Sequence, residues 1–381
     1  MVLKRLCLRG FRNLTDVEVG FENKKSFIFG DNAQGKTNIL ESIYLLCLAK
    51  SFRTNDDEEL VSFEERGFLV HGEFINDTGN IQKVSIQYEA ATGKAIRVDG
   101  KNVRLFSQLI GQFPVVTLSS EDHSITQGPP ACRRKFYDIL ISQSSARYLE
   151  GLKEYDRVLK QRNKILSDFA QKKISHKREL DVWNRQLIEK GDFIVRFRSK
   201  VVEEINSTLS TYYQNITNKK DVFQIRYSPQ IEFQSFDQIK AAFEKQLKKT
   251  GTKELLLGKT IVGPQRDEYL FMVDGKNIRQ YGSRGEHKSA LISLKQAESV
   301  LLRKKTGTEP ILLLDDLYAE LDKKRGQNVL NLFSNDSQCF ITGTSSDFDV
   351  LSETHRRRPD YSIYFVKEGK VEQYKDAKNT N

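Results

Sequence analysis

Apolar and polar positions alternate over short stretches at the start of the chain. They predict strands at 2–8, 17–21 and 26–29, separated by turns rich in Asn and Lys. The apolar spacing then lengthens to a helical period over 36–49, and strand patterns return at 67–74, 83–89, 95–98 and 114–118. From about 133 to 210 almost no Gly or Pro interrupts a helical stripe carried by Leu149, Leu152, Tyr155 and Leu159, then by Leu180, Trp183 and Leu187. Two or three long helices are expected there. A strand at 222–227 and an amphipathic helix at 236–249 follow. The tail alternates strand and helix, at 311–314, 323–333, 338–342 and 361–366. The segments VDGKNVR from Val98 and VDGKNIR from Val273 each set Asp-Gly between apolar residues, the requirement of a type I′ turn, and predict two similar hairpins. The pattern therefore divides into an α/β opening at 1–120, a mainly helical insertion at 121–257, and a return to α/β structure at 258–381.

Composition narrows the class. A chain of 381 residues with 38% hydrophobic positions and 23 Phe can build roughly two to three ordered domains. No run approaches the roughly 18 uncharged apolar residues of a membrane helix, so a soluble, cytoplasmic protein is expected. Cys7, Cys47, Cys132 and Cys339 contain no CxxC pair, which argues against a zinc site or a disulfide framework. The five His residues show no metal-ligand spacing and receive no catalytic role. The net charge is +10, and residues 133–206 hold eighteen Lys and Arg against eleven Asp and Glu. That excess suits a nucleic-acid surface and an exposed helix pair equally well, so charge alone does not decide.

Chemistry enters at Gly30-Asp31-Asn32-Ala33-Gln34-Gly35-Lys36-Thr37, a GxxxxGK[ST] sequence between the apolar strand FIF and an amphipathic helix. The glycines let backbone N–H groups turn toward a polyphosphate, with Lys36 against its terminal oxygens and the Thr37 hydroxyl on Mg²⁺. A second carboxylate must help to hold such a metal. The run Ile311-Leu312-Leu313-Leu314-Asp315-Asp316 supplies Asp315 for Mg²⁺ and Asp316 to polarise the attacking water. Ser283-Arg284-Gly285-Glu286 precedes a helix and reads first as a capping box. The same geometry makes Ser283 and Gly285 an anion site at a helix N-terminus. Arg133, Arg134 and Lys135 open a helix where cations oppose the macrodipole, so either a phosphate partner or a neighbouring carboxylate should compensate them. Arg266 in GPQRDE carries the same two readings, a structural ion pair being the commoner fate of such a residue, and Arg356 to Arg358 are expected in a solvated loop.

The order of P-loop, helical insertion, S-x-G-E, LLLDD and Ala319-Glu320-Leu321-Asp322 resembles ABC-type ATPase heads related to the SMC proteins. FRNL at Phe11, KSFRT at Lys50, SSEDHSITQGPPACRRKFYD at Ser119, GPQRDEYLF at Gly263, SRGEHKSALISLKQAE at Ser283 and LLLDDLYAELD at Leu312 are similar to the RecF family of bacterial recombination mediators across nearly the whole chain. The central helices are too short for an SMC coiled coil. The resemblance implies a P-loop ABC/SMC-like α/β head with a helical lobe, acting as a weak ATPase with ATP and Mg²⁺. It further implies binding to single-stranded, gapped or duplex DNA in replication, recombinational repair and SOS induction. An ATP-dependent homodimer completed by Ser283, with RecO and RecR as partners, belongs to the same expectation.

Ser120, Pro129 and His287 depart from the usual family residues without removing a catalytic group. Asp316 in place of the Glu of ABC transporters, and Thr342 to Thr344 where a switch His is expected, match the RecF pattern and imply slow hydrolysis. Gln112 and Gln127 both remain open as γ-phosphate sensors. A translocase would need helicase motifs that are not found. A small-molecule kinase would have no use for SRGE or for the basic insertion.

Overall fold

Four consecutive aliphatic residues, Ile311–Leu314, form a strand with every side chain buried, as a parallel strand covered on both faces requires. Around it the computed structural model, described for residues 1–76, 78–171, 178–316, 336–348 and 361–374, builds a largely parallel sheet. The strands of this first unit are β1 (Val2–Phe11), β2 (Leu14–Gly20), β3 (Lys25–Phe29), β4 (Gly67–Ile75), β5 (Ile81–Glu89), β6 (Gly93–Val98), β7 (Lys101–Asn102), β8 (Val115–Leu118), β12 (Ile311–Leu314), β13 (Cys339–Gly343), β14 (Tyr361–Lys367) and β15 (Lys370–Gln373). One six-stranded sheet, ordered β15-β14-β3-β13-β12-β8, is parallel except for the edge hairpin β14–β15. The other, β2-β1-β4-β5-β6-β7, is antiparallel throughout. Its β4 alternates buried and half-buried residues along its length, the signature of a strand with one face on the core.

Helix α1 (Lys36–Leu48) is buried nearly all round and packs against both β13 and the antiparallel sheet. Gly72 of β4 makes the close approach possible, because a Cβ there would lie 2.6 Å from the Leu46 side chain. Ala49 ends the helix in the left-handed region with φ 56°, its N–H on Leu45 O. Gln338, fully buried, ties the two sheets: its amide nitrogen donates to Leu3 O (2.8 Å) and its carbonyl accepts from Leu3 N (2.6 Å).

The second unit, His123–Ser293, holds α2 (His123–Gln127), α3 (Pro130–Ser144), α4 (Ala146–Ala170), α5 (Arg178–Thr217), β9 (Phe223–Ser228), α6 (Ile239–Leu257), β10 (Glu268–Val273), β11 (Lys276–Asn277) and α7 (Ile278–Tyr281). Helix α8 (Arg284–Thr306) begins in this unit and ends in the first. The expectation that 258–381 returns to the α/β core is thus corrected for 258–293. There β10 pairs with β9, and buried Asp267 joins the helical interior. Helix α6 runs past the expected 249, through Gly251, until Gly258 caps it with φ 64°.

Both expected hairpins form. Asp99 and Gly100 have φ 50° and 77°, and Asp274 and Gly275 have φ 47° and 76°, as a type I′ turn demands. Each turn also docks on a third chain segment in the same way. Asp99 accepts from Lys83 N and donates its N–H to Lys83 O, while Asp274 makes the same pair of bonds with Val222. The expected helix at 323–333, the Ala319 to Asp322 motif, His176, His355 and Arg356 to Arg358 lie outside the described residues. Among the described residues no helix is long and apolar enough to cross a membrane.

Candidate functional site

The GxxxxGK[ST] loop joins β3, the middle strand between β13 and β14, to the N-terminus of α1. Gly35 adopts φ 115°, and a Cβ on it would meet Asn13 Oδ1 at 2.8 Å, so only glycine fits both the conformation and the space. Lys36 is buried, and its ammonium donates to Gly30 O (2.8 Å) and Asp31 O (3.0 Å), lying back across its own loop. The loop is pinned from outside by Asn13 Nδ2 donating to Ala33 O (3.0 Å) and Ser345 Oγ donating to Asp31 Oδ1 (3.0 Å). Glu368 N donates to the Gln34 side chain (2.6 Å).

The two acids at the end of β12 meet this loop. Thr37 Oγ1 lies 3.0 Å from both Asp315 carboxylate oxygens, and Thr342 Oγ1 donates to Asp315 Oδ1 at 2.7 Å. Thr342 also accepts from Asp316 N (2.8 Å), so one hydroxyl orients both acids. Its position follows from the parallel register: Leu314 pairs with Ile341, which sets Thr342 beside Asp315. In the sequence Thr342 stands out only as part of the segment where a switch His is expected. Burial raises the Asp315 pKa, and the Thr342 and Thr37 hydrogen bonds oppose the rise. Asp316 takes φ 45°, rare for a non-glycine residue, and its Oδ1 is buried with no hydrogen-bond partner among the described residues. These are hard oxygen donors of the kind Mg²⁺ takes. Among the described residues no group of three His, Cys, Asp or Glu side chains could hold a metal alone. Phosphate oxygens and water would have to complete the shell.

A second cluster escaped the sequence reading. Glu41, on the first turns of α1, is fully buried. Arg12 binds it through Nε (3.1 Å) and Nη2 (2.9 Å), Ser51 Oγ donates to it, and Arg53 Nη1 stands 3.5 Å away. Arg53 Nη1 also donates to Asn38 Oδ1 (3.0 Å), and Asn38 Nδ2 to Asn13 Oδ1 (2.7 Å). The stretches FRNL and KSFRT are thereby joined through Glu41, and both reach the phosphate loop through Asn13. The signal was a single Glu among apolar helix residues, which periodicity treats as noise.

Loop, Asp316, Arg12 and Arg53 line one cavity of about 1250 Å³, with residues 58, 59, 61–63, 65, 66 and 88–91 forming further wall. Gln112 does not line it and is exposed, its amide on Gln108 O.

The other expected site residues belong to the second unit. Ser283 and Glu286 form the capping box: Ser283 N donates to Glu286 Oε2 (2.7 Å) and Glu286 N to Ser283 Oγ (3.3 Å). Ser283 is exposed, and a Cβ on Gly285 would have nothing nearer than Ser283 Oγ at 4.0 Å. Gln127 is exposed as well. Arg133 is corrected as a surface contact. It is buried, bound to Glu268 at 2.7 and 2.8 Å and to Gly128 O at 2.9 Å, so a carboxylate compensates it. Arg134 is half-buried and donates to Asp267 O (2.9 Å), which leaves Lys135 as the exposed member of the triplet.

Two more arginines of the basic insertion are interior. Arg162 binds Glu254 (2.6 Å), and Arg198 binds Asp138 (2.9 Å) and Asp267 (3.0 Å). In GPQRDE, Pro264, Asp267 and Glu268 serve this interior through Arg198 and Arg133. Arg266 is exposed and makes no ion pair among the described residues, against the commoner of its two readings.

Comparison with known proteins gives the family. The family described as RecF/RecN/SMC N terminal domain matches residues 2–365. The chain is 38% identical to the DNA replication and repair protein RecF of Ligilactobacillus salivarius (strain UCC118), over 97% of each chain. It is 35% identical to that of Shouchella clausii (strain KSM-K16), over 93% of this chain and 96% of the relative. A solved structure described as the recombination mediator protein RecF with ATP in the RecFOR pathway superposes with a TM-score of 0.89 at 30% identity, covering 98% of this chain and 97% of that one. An SMC head bound to the C-winged helix domain of ScpA gives a TM-score of 0.56 at 15% identity, over 99% of both chains, a likeness of fold alone.

Proposed function

Since the chain belongs to the RecF/RecN/SMC family, and within it to the RecF proteins of DNA replication and repair, we propose that it is an ATP-switched DNA-binding protein and a slow ATPase. The observation that carries the reading is the convergence of Thr37, Asp315, Thr342 and Asp316 beside the phosphate loop.

On this reading the backbone N–H groups and Lys36 bind the β- and γ-phosphates of ATP, for which the ammonium exchanges its carbonyl partners. Thr37 and Asp315 are the residues that would hold Mg²⁺, and when bound the ion neutralises charge on the phosphoryl oxygens. Asp316, with its unpartnered oxygen, orients the attacking water. An Asp reaches less far than a Glu, which is the physical basis for slow turnover. Ser283 and Gly285 of a second copy supply the other side of the γ-phosphate, so that ATP joins two chains head to tail. DNA phosphates meet exposed cations of the second unit, Lys135 and Arg266, which flank the contacting pair Arg134 and Asp267. RecR and RecO are the partners and the cytoplasm the location that this reading carries.

The test is binding of duplex, single-stranded and gapped DNA in parallel, with and without ATP. Binding that strengthens with ATP supports the reading. Turnover stimulated by a small phosphate acceptor, with no effect of DNA, would instead favour a kinase.

A further inference from the structure

One aromatic side chain in the cavity is wholly uncovered. Phe63 shows 108% of its reference surface, whereas most of the chain's Phe residues are buried. It is not on a loose segment. Ser62 and Glu65 close a turn around it, with Glu65 N donating to Ser62 O (3.0 Å). The turn is anchored on β1 by Ser62 N to Gly10 O (2.8 Å) and by a bridge between Val61 and Phe11, and on the far side by Ala90 N to Arg66 O (3.2 Å). A rigid turn thus holds an apolar ring in water, on the wall of the cavity that begins at the phosphate loop.

Exposing a Phe is unfavourable, since burying one is worth on the order of 2 kcal/mol, and neither a ring nor a cation partner satisfies Phe63 among the described residues. The other aromatic of the cavity, Tyr88, is already stacked on Phe68 at 5.8 Å. A nucleotide whose phosphates occupy the loop must send its base away from it along the same cavity. The remaining wall there offers charged groups, Glu58, Glu59, Glu65 and Arg66, and the small aliphatic side chains of Val61, Ala90 and Ala91, but no further aromatic plane. An aromatic plane is what a base requires, because every base has a π-face.

We propose that Phe63 is the base-stacking residue of the nucleotide site, and that the turn 62–65 forms the nucleobase subsite. The inference rests on the nucleotide reading above and adds to it the residue that distinguishes a nucleoside triphosphate from a bare polyphosphate. Stacking is tolerant of base identity, so the subsite takes nucleoside triphosphates as a class.

Displacement of a fluorescent ATP analogue separates the two readings. Unlabelled ATP, GTP and inorganic tripolyphosphate compete in the wild type, in Phe63→Ala and in Phe63→Trp, with Mg²⁺ present. The expected result is a loss of about tenfold or more in ATP and GTP affinity in Phe63→Ala, tripolyphosphate unchanged, and ATP affinity restored in Phe63→Trp. Equal ATP affinities in wild type and Phe63→Ala, or the same loss for tripolyphosphate as for ATP, would overturn the subsite alone. A wild type that binds none of the three would overturn the nucleotide reading itself and this inference with it.

Discussion

Arg12 and Glu41 form a two-point ion pair, Nε to Oε2 at 3.1 Å and Nη2 to Oε1 at 2.9 Å, that fixes the residue after β1 to the buried flank of α1. The Glu41 carboxylate has no access to water, so it depends on its partners for solvation. Removing the charge leaves two guanidinium groups, Arg12 and Arg53, facing each other without a counterion. Glu41→Gln should lower the unfolding free energy by about 3 kcal/mol, the usual consequence of breaking a buried pair. Arg53→Ala, at a side chain 39% exposed, should cost no more than about 1 kcal/mol. Urea denaturation of both variants checks the ranking, and a Glu41→Gln protein as stable as Arg53→Ala would remove Glu41 from its central place.

Lys36 and Asp316 should separate binding from chemistry. Lys36→Met removes the charge set against the phosphates and should abolish ATP binding. Asp316→Asn keeps the shape and should retain ATP while hydrolysis slows by roughly a hundredfold, the scale of a lost general base. Equilibrium binding and single-turnover hydrolysis on the same preparations decide this. Equal ATP affinity in wild type and Lys36→Met would contradict the site.

Glu298 supplies a pH dependence within the first unit. Burial pushes its pKa up to about 7, against the pull of Lys295 3.3 Å away. The folded state therefore holds this proton more tightly than the unfolded chain, where the ordinary value is near 4.5. Its contribution to stability is greatest below the unfolded value and is lost as pH rises from about 4.5 to 7. The loss is on the order of 3 kcal/mol. Lys295 titrates far above this window. Glu298→Gln should gain stability relative to the wild type across that interval, and a constant difference between pH 4.5 and 8 would refute the assignment.

What was legible in the sequence was whatever has a local cause. The phosphate loop, the apolar run before Asp315, the Asp-Gly hairpins and the Ser283 box all depend on residues within a few positions of one another, and all form as expected. What escaped depends on pairings across the chain. Thr342 reaches Asp315 through a parallel register 27 residues away, and Arg133 finds Glu268 across 135. A charge count cannot see that Arg133, Arg162 and Arg198 face inward, because a buried pair and a surface cation have the same composition. For the same reason 258–293 falls with the second unit, where buried Asp267 is the partner of Arg198 and half-buried Glu268 the partner of Arg133.

DNA binding should distinguish inner from outer cations. Lys135→Ala together with Arg266→Ala removes two exposed charges and should weaken binding to all sequences alike, reducing the slope of log affinity against log salt by about 2. Arg133→Gln should instead destabilise the fold, because Glu268 is left without its partner. Fluorescence anisotropy at several salt concentrations, beside thermal melts, reads both effects. An unchanged salt slope in the double variant would show that these cations are solvated surface only.

Ser283 offers the sharpest demand of all, because its local role and its proposed role can be pulled apart. Locally it caps α8 by accepting from Glu286 N. In the proposed head-to-tail dimer the same helix N-terminus meets the γ-phosphate of ATP held by Lys36 of the other copy. Ser283→Ala removes the cap and should cost about 1 kcal/mol. Ser283→Asp keeps a capping oxygen but sets a negative charge against the phosphate, so the helix should survive while the dimer fails. Ser283→Arg should likewise leave ATP binding to the monomer nearly intact and block ATP-induced dimers, whereas Lys36→Met loses both. A mixture of Lys36→Met and Ser283→Arg chains can form at most one complete site in each heterodimer, made from the intact Lys36 of one chain and the intact Ser283 of the other. Sedimentation with a slowly hydrolysed ATP analogue gives the answer. A wild type that stays monomeric would refute the shared site because ATP then has no second chain to join, and a Ser283→Asp protein that dimerises normally would refute it because the Ser283 helix N-terminus then does not face the phosphate.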